Sequence, residues 1–184
     1  RFYYLSARNQ PEIVVVDSGA GEVVQRFPLP GNSRSSVAVG YLRDPNRPDV
    51  VVGLWGGDPN DLNSRTKGEF AVAAVSEDCT LSDLYLQTAG IHPTDLAVGD
   101  LDGGGRDELV VLNYGSGLGP RDRTAPGGIE IYKYIRNRFV RVANIGLANP
   151  RIAAILDIDG DGQMELAVTL FFENRLAIIK FASR

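Results

Sequence analysis

The stretch Asp95-Leu-Ala-Val-Gly-Asp100-Leu-Asp102-Gly-Gly-Gly-Arg-Asp-Glu108-Leu-Val-Val-Leu112 reads as strand, acidic loop, strand. It returns as Ile152-Ala-Ala-Ile-Leu-Asp157-Ile-Asp159-Gly-Asp161-Gly-Gln163-Met-Glu165-Leu-Ala-Val168. Oxygen ligands at loop positions 1, 3, 5 and 9, with a backbone carbonyl at 7, can wrap a hard cation such as calcium within one short turn. An EF-hand is the competing reading of such a loop, but it needs about 12 residues and flanking helices. Here the flanking residues are valine-rich and isoleucine-rich strands instead.

Working outward, a third copy of the first strand appears as Ser36-Val-Ala-Val-Gly-Tyr-Leu42. The equivalent positions Tyr41, Asp100 and Asp157 are 59 and 57 residues apart. Each loop is followed by a second strand: Asp49-Val-Val-Val-Gly53, Glu108-Leu-Val-Val-Leu112 and Glu165-Leu-Ala-Val-Thr169. Third strands follow at Phe70–Val75, Ile129–Tyr134 and Arg175–Phe181, and fourth strands at Leu84–Gln87 and Phe139–Val142. Four short strands recurring every 40 to 60 residues or so are the mark of a propeller blade. Phe2–Leu5, Glu12–Val16 and Val23–Phe27 fit strands two to four of a blade whose first strand is missing. The expected fold is therefore all-β: an arc of four-stranded antiparallel blades, two complete and two partial, within a larger propeller. The blade boundaries fall at 1–35, 36–93, 94–150 and 151–184. An isolated arc would leave a blade face and strand edges uncovered, which invites association.

Composition narrows the function. The 184 residues are 43% hydrophobic, enough for one domain or a few repeat units. A net charge of -4, without a lysine or arginine run, argues against a nucleic-acid groove or a membrane-surface patch. No stretch approaches the roughly 18 apolar residues of a membrane span. Starting at Arg1 and ending at Arg184 in mid-pattern, the chain reads as a segment of something longer. Cys79 is the single cysteine, so no internal disulfide framework is possible.

These residues resemble the FG-GAP or VCBS repeats, the calcium-loop propeller repeats of integrin alpha-chain heads and many secreted bacterial proteins. The likeness rests on Asp95–Asn113 and Ile155–Val168 and extends over roughly residues 36–184. The turn in Val14-Val-Val-Asp-Ser-Gly-Ala-Gly-Glu-Val-Val24 looks more like YVTN-type propellers, which supports the architecture without choosing the family. The resemblance implies calcium held by Asp157, Asp159, Asp161, the Gln163 carbonyl and Glu165. In the middle unit Asp100, Asp102 and Glu108 are kept, while Gly104 replaces one oxygen ligand. The first unit has Tyr41, Arg43, Pro45 and Asp49 at these positions, so no metal is expected there, and the Arg43 guanidinium is a candidate to fill the vacated volume.

Catalytic readings find little support. His92 is the single histidine and reads as a linker residue before Pro93, Cys79 lies in a polar turn, and Gly115–Gly119 has no following helix to bind phosphate. Two long connections, 56–68 and 114–128, join second to third strands on one rim, where Trp55, Tyr114, Arg121 and Arg123 are candidate interface anchors. Packing of Trp55 between blades is the competing reading. The expected role is a non-catalytic, calcium-stabilised module for protein binding or scaffolding in an extracytoplasmic assembly (secreted, periplasmic or cell-surface). A carbohydrate-binding propeller, with Trp55, Tyr85 and Tyr114 as candidate platforms, and the non-catalytic part of a polysaccharide-active enzyme are the alternatives.

Overall fold

The computed structural model describes residues 11–31, 36–58, 61, 63–116 and 126–181, and the backbone of 2–6. Among these residues there is no helix, and hence none long and apolar enough to cross a membrane. Fourteen strands form four antiparallel sheets, each a meander in chain order. The first sheet is β1 (Phe2–Ser6), β2 (Glu12–Val16) and β3 (Val23–Pro28). The second is β4 (Val37–Asp44), β5 (Arg47–Leu54), β6 (Lys67–Val75) and β7 (Leu81–Ile91). The third is β8 (Pro93–Gly99), β9 (Glu108–Asn113), β10 (Gly128–Ile135) and β11 (Arg138–Ile145). The fourth is β12 (Pro150–Leu156), β13 (Glu165–Leu170) and β14 (Arg175–Lys180). The expected all-β class and the grouping of three, four, four and three strands are both present.

The second strands carry continuous apolar runs because they are buried on both faces. β9 is buried along its whole length and β5 along all but its first two residues. Side chains alternate across a strand, so one run feeds two interfaces. Val50 and Val52 pack toward Ile13 and Val15 of the first sheet, while Val51 joins Phe70 and Val72 against Leu109 and Val111 of the third. Val110 and Leu112, with Ile129 and Ile131, pack on Leu166 and Val168 of the fourth. Each fully buried aliphatic side chain contributes about 1.5–3 kcal/mol, so three such layers hold the stack of sheets.

The first strands lie side by side, β4 against β8 and β8 against β12. Two equivalent hydrogen bonds set their register: Leu96 N–H donates to Ser36 Oγ (2.9 Å) and Ala153 N–H to Asp95 Oδ2 (2.8 Å). Glycine allows the close approach. A Cβ on Gly40 would lie 2.2 Å from Val98 Cγ1, and one on Gly99 2.9 Å from Ile155 Cγ2.

The first sheet fits strands two to four of a unit. Gln25 in β3 exchanges two hydrogen bonds with Leu81 at the start of β7, and Gly31, just beyond β3, lies beside Leu54 and Lys67 at the end where β7 finishes. β3 therefore runs the same way as β7 and is its counterpart, and the buried β2 corresponds to β6. Among the described residues, the first and fourth sheets each have three strands.

Candidate metal sites

The loop between β12 and β13 is folded inward around Asp157. Its carboxylate accepts N–H groups from Gly160 (2.7 Å), Asp161 (3.1 Å) and Gly162 (2.9 Å). Gly160 (φ 76°) and Gly162 (φ 85°) provide the left-handed backbone that the turn demands. Asp159 accepts the Asp161 N–H (3.2 Å), and Asp161 accepts that of half-buried Gln163 (2.9 Å). Glu165, at the start of β13, accepts the Ile158 N–H on Oε2 (2.8 Å) and is 2% exposed. Asp157, Asp159 and Glu165 each bring one oxygen within 4.8 Å of the others.

A lysine sits among these carboxylates. Lys180 Nζ lies 2.8 Å from Asp159 Oδ2, 2.6 Å from Asp161 Oδ2 and 3.5 Å from Glu165 Oε1. Its hydrogen bonds to Asp159 and Asp161 raise its pKa above the ordinary lysine value, and its hydrogen bond to Asp161, aided by the Gln163 N–H, lowers that of Asp161. Glu165 Oε1 is buried and has no hydrogen bond. A buried carboxylate oxygen left without a donor is costly. Together with the neighbouring carboxylates of Asp157 and Asp159, it is the feature of this loop that fits a cation.

The loop between β8 and β9 is built alike. Asp100 accepts the N–H groups of Gly104 (2.9 Å) and Gly105 (2.7 Å), Asp102 that of Gly104 (3.1 Å), and Glu108 that of Leu101 (2.8 Å). Asp100, Asp102 and Glu108 again gather their oxygens within 4.8 Å. Lys133 bonds Asp102 and lies 3.1 Å from Glu108 Oε1. Burial raises the Glu108 pKa, opposed by the Leu101 N–H and by Lys133. Burial would lower the Lys133 pKa, but its hydrogen bonds to Asp102 and Glu108 outweigh it and raise the value.

In the loop between β4 and β5 the cation is an arginine. Arg43 Nε and Nη2 lie 2.8 and 2.6 Å from Asp49 Oδ1, and Nη1 donates to Asp83 O (3.1 Å). The guanidinium thus occupies the volume where the other two loops gather acids.

Sequence reading missed both lysines. They occupy one register position, across from the acid at loop position nine. Glu165 pairs directly with Lys180, Asp49 with Ala74, and Glu108 falls one step beyond the Leu109–Tyr132 pair, opposite Lys133. The signal was present in the aligned third strands, as Ile131-Tyr-Lys133-Tyr, Ile178-Ile-Lys180-Phe and Val72-Ala-Ala74-Val.

The rim residues behave otherwise than expected. Trp55 and Tyr114 are 6% and 5% exposed, so neither is a surface anchor; packing of Trp55 between sheets, the competing reading, is what the structure contains. Trp55 stacks on His92 with ring centroids 4.1 Å apart and planes 6° from parallel, and Tyr114 faces Phe172 at 6.3 Å. The reason is His92, which is a buried corner rather than a linker. Its left-handed backbone (φ 54°) accepts the Tyr114 N–H (2.9 Å), and its Nδ1 bonds Gly115 O (2.8 Å). Asn149 repeats this corner before Pro150, with φ 48° and its carbonyl accepting the Phe171 N–H (3.3 Å). Arg121 and Arg123 lie outside the described residues. A comparison with protein-family models finds no match to this chain, and a comparison with curated proteins finds none either.

Proposed function

We propose that the four sheets are an arc of a calcium-stabilised β-propeller that serves as a non-catalytic module for protein binding or scaffolding in an extracytoplasmic assembly. The observation that carries the binding role is the outer face of the fourth sheet. Ile129 and Ile131 of β10 are 0% and 2% exposed beneath that sheet. Their register equivalents in β14, Leu176 and Ile178, are 62% and 49% exposed. Ile152 (60%) and Phe171 (61%) extend the same uncovered surface. Contiguous exposed apolar residues of this kind mark an interaction surface.

Calcium suits the loops because the donors are all oxygens and the geometry is an open, flexible turn. Asp157, Asp159, Asp161, the Gln163 carbonyl and Glu165 would hold it in one loop, and Asp100, Asp102 and Glu108 in the other. The bound ion would neutralise crowded carboxylates and lock the turn. A calcium-rich location outside the cytoplasm would suit sites of the weak class found in extracellular modules, about 10⁻⁴–10⁻³ M. A glycan-binding role is less well supported, because Trp55 and Tyr114 are buried and Tyr85 is half-buried against Phe139.

The test is native mass spectrometry of the protein as its source makes it, with and without a calcium chelator. A stoichiometric protein companion, or a longer parent chain whose further sheets cover this face, is the expected result. A lone 184-residue monomer, unmoved by chelation, would overturn the proposal.

A further inference from the structure

We infer that Lys180 and Lys133 are built-in competitors for the metal, so that calcium enters each loop by displacing an ammonium group and the lysine sets the affinity. The inference rests on the calcium reading and deepens it. Lys180 Nζ touches Asp159 Oδ2, Asp161 Oδ2 and Glu165 Oε1, three oxygens from the residues that calcium would need. A divalent ion and an ammonium cannot share that space without strong like-charge repulsion.

Three features make the lysine displaceable and grade the loops. Lysine is a point charge on a flexible four-carbon stem, whereas arginine binds as a rigid fork. Arg43 holds Asp49 through two guanidinium nitrogens, and both side chains are nearly buried, at 12% and 2% exposed. That closes the first loop to metal. The Lys180 side chain is 44% exposed and leaves Glu165 Oε1 without a hydrogen bond, so it can swing into water while the buried oxygen gains a ligand. Lys133 lies between the two. It is 29% exposed, bonds both Asp102 and Glu108, and leaves neither Glu108 oxygen unpaired. The 157–165 loop therefore fills first, and the 100–108 loop fills at higher calcium or stays closed by its own lysine.

The test is calorimetric calcium titration of the wild type, Lys180→Met and Lys180→Arg, with thermal melts in chelator. Methionine keeps most of the stem and removes the charge. Lys180→Met is expected to bind calcium about tenfold tighter than wild type and to melt lower in chelator, where the carboxylates lose their counter-ion. Lys180→Arg, which keeps the charge, is expected to bind no tighter than wild type. Should Lys180→Met fold only with calcium present, its affinity is read by chelator competition from the loaded protein. Equal affinities for wild type and Lys180→Met would overturn the competition and leave the calcium reading intact. Absence of calcium binding in every protein would overturn both.

Discussion

Arg43 forks onto Asp49 through Nε at 2.8 Å and Nη2 at 2.6 Å, in the place where the other two units set a lysine from the third strand against an acid. The cation has moved from strand to loop: Ala74 replaces the lysine across the strand pair, and Arg43 replaces the acid at loop position three. Removing one partner of a buried pair strands the other. Arg43→Ala is expected to cost about 3–5 kcal/mol, by the same amount with calcium and with chelator, measured by urea unfolding. A loss that calcium rescues would place a metal in this loop.

The 157–165 loop should behave in the opposite way. Its pairs with Lys180 are solvent-exposed and screened by water, so they contribute little to stability. Asp159→Ala with Asp161→Ala should therefore change the metal-free protein little. With calcium at about 100 times its dissociation constant, the wild type gains about 2.7 kcal/mol that the variant lacks. Thermal melts in calcium and in chelator make the comparison, and an equal loss in both would count against a metal there.

Ile131 and Ile178 occupy the same register position in neighbouring sheets, one buried and one exposed. Ile131→Ala should destabilise by about 2–5 kcal/mol, while Ile178→Ala should stay within about 0.5 kcal/mol in the isolated chain. In a complex that covers the fourth sheet, Ile178→Lys should release the partner without unfolding the protein. Retention of the partner by that variant, seen by co-purification, would move the interface elsewhere.

His92 gives a pH dependence of definite sign. Burial lowers its pKa, opposed by the Gly115 hydrogen bond and by the charge of Asp61. The folded state thus takes up a proton less readily than the unfolded chain. Stability tied to His92 is complete above the ordinary histidine value of 6.5 and falls as the pH drops below it. Because His92 is the single histidine, His92→Gln should flatten the slope of unfolding free energy between about pH 7.5 and 5.5. An unchanged slope would assign that dependence to carboxylates.

The repeat was legible because its signals are local. Two acidic loops, three apolar second strands and the Ala-Val-Gly ends of two first strands each carry their meaning within about ten residues. Even the Arg43 substitution could be anticipated from loop positions alone. The lysines could not be so easily seen, since a lone lysine near the end of a strand reads as a solvent-facing residue until the register places it opposite an acid. Trp55 and Tyr114 misled for a related reason. An aromatic beside a glycine-rich loop has the composition of a binding rim, and only the His92 corner, 37 residues after Trp55, covers it.

By itself the sequence determined an all-β chain of four strand groups, with two acidic loops that could hold a cation and a first loop in which an arginine replaces an acid. Each of those follows from residue type and short spacing. The tertiary structure alone decided which aromatics are inside, which ammonium sits in each acidic loop, and which apolar face remains uncovered. These depend on contacts between residues far apart in the chain, where burial and charge are properties of the neighbour as much as of the residue itself.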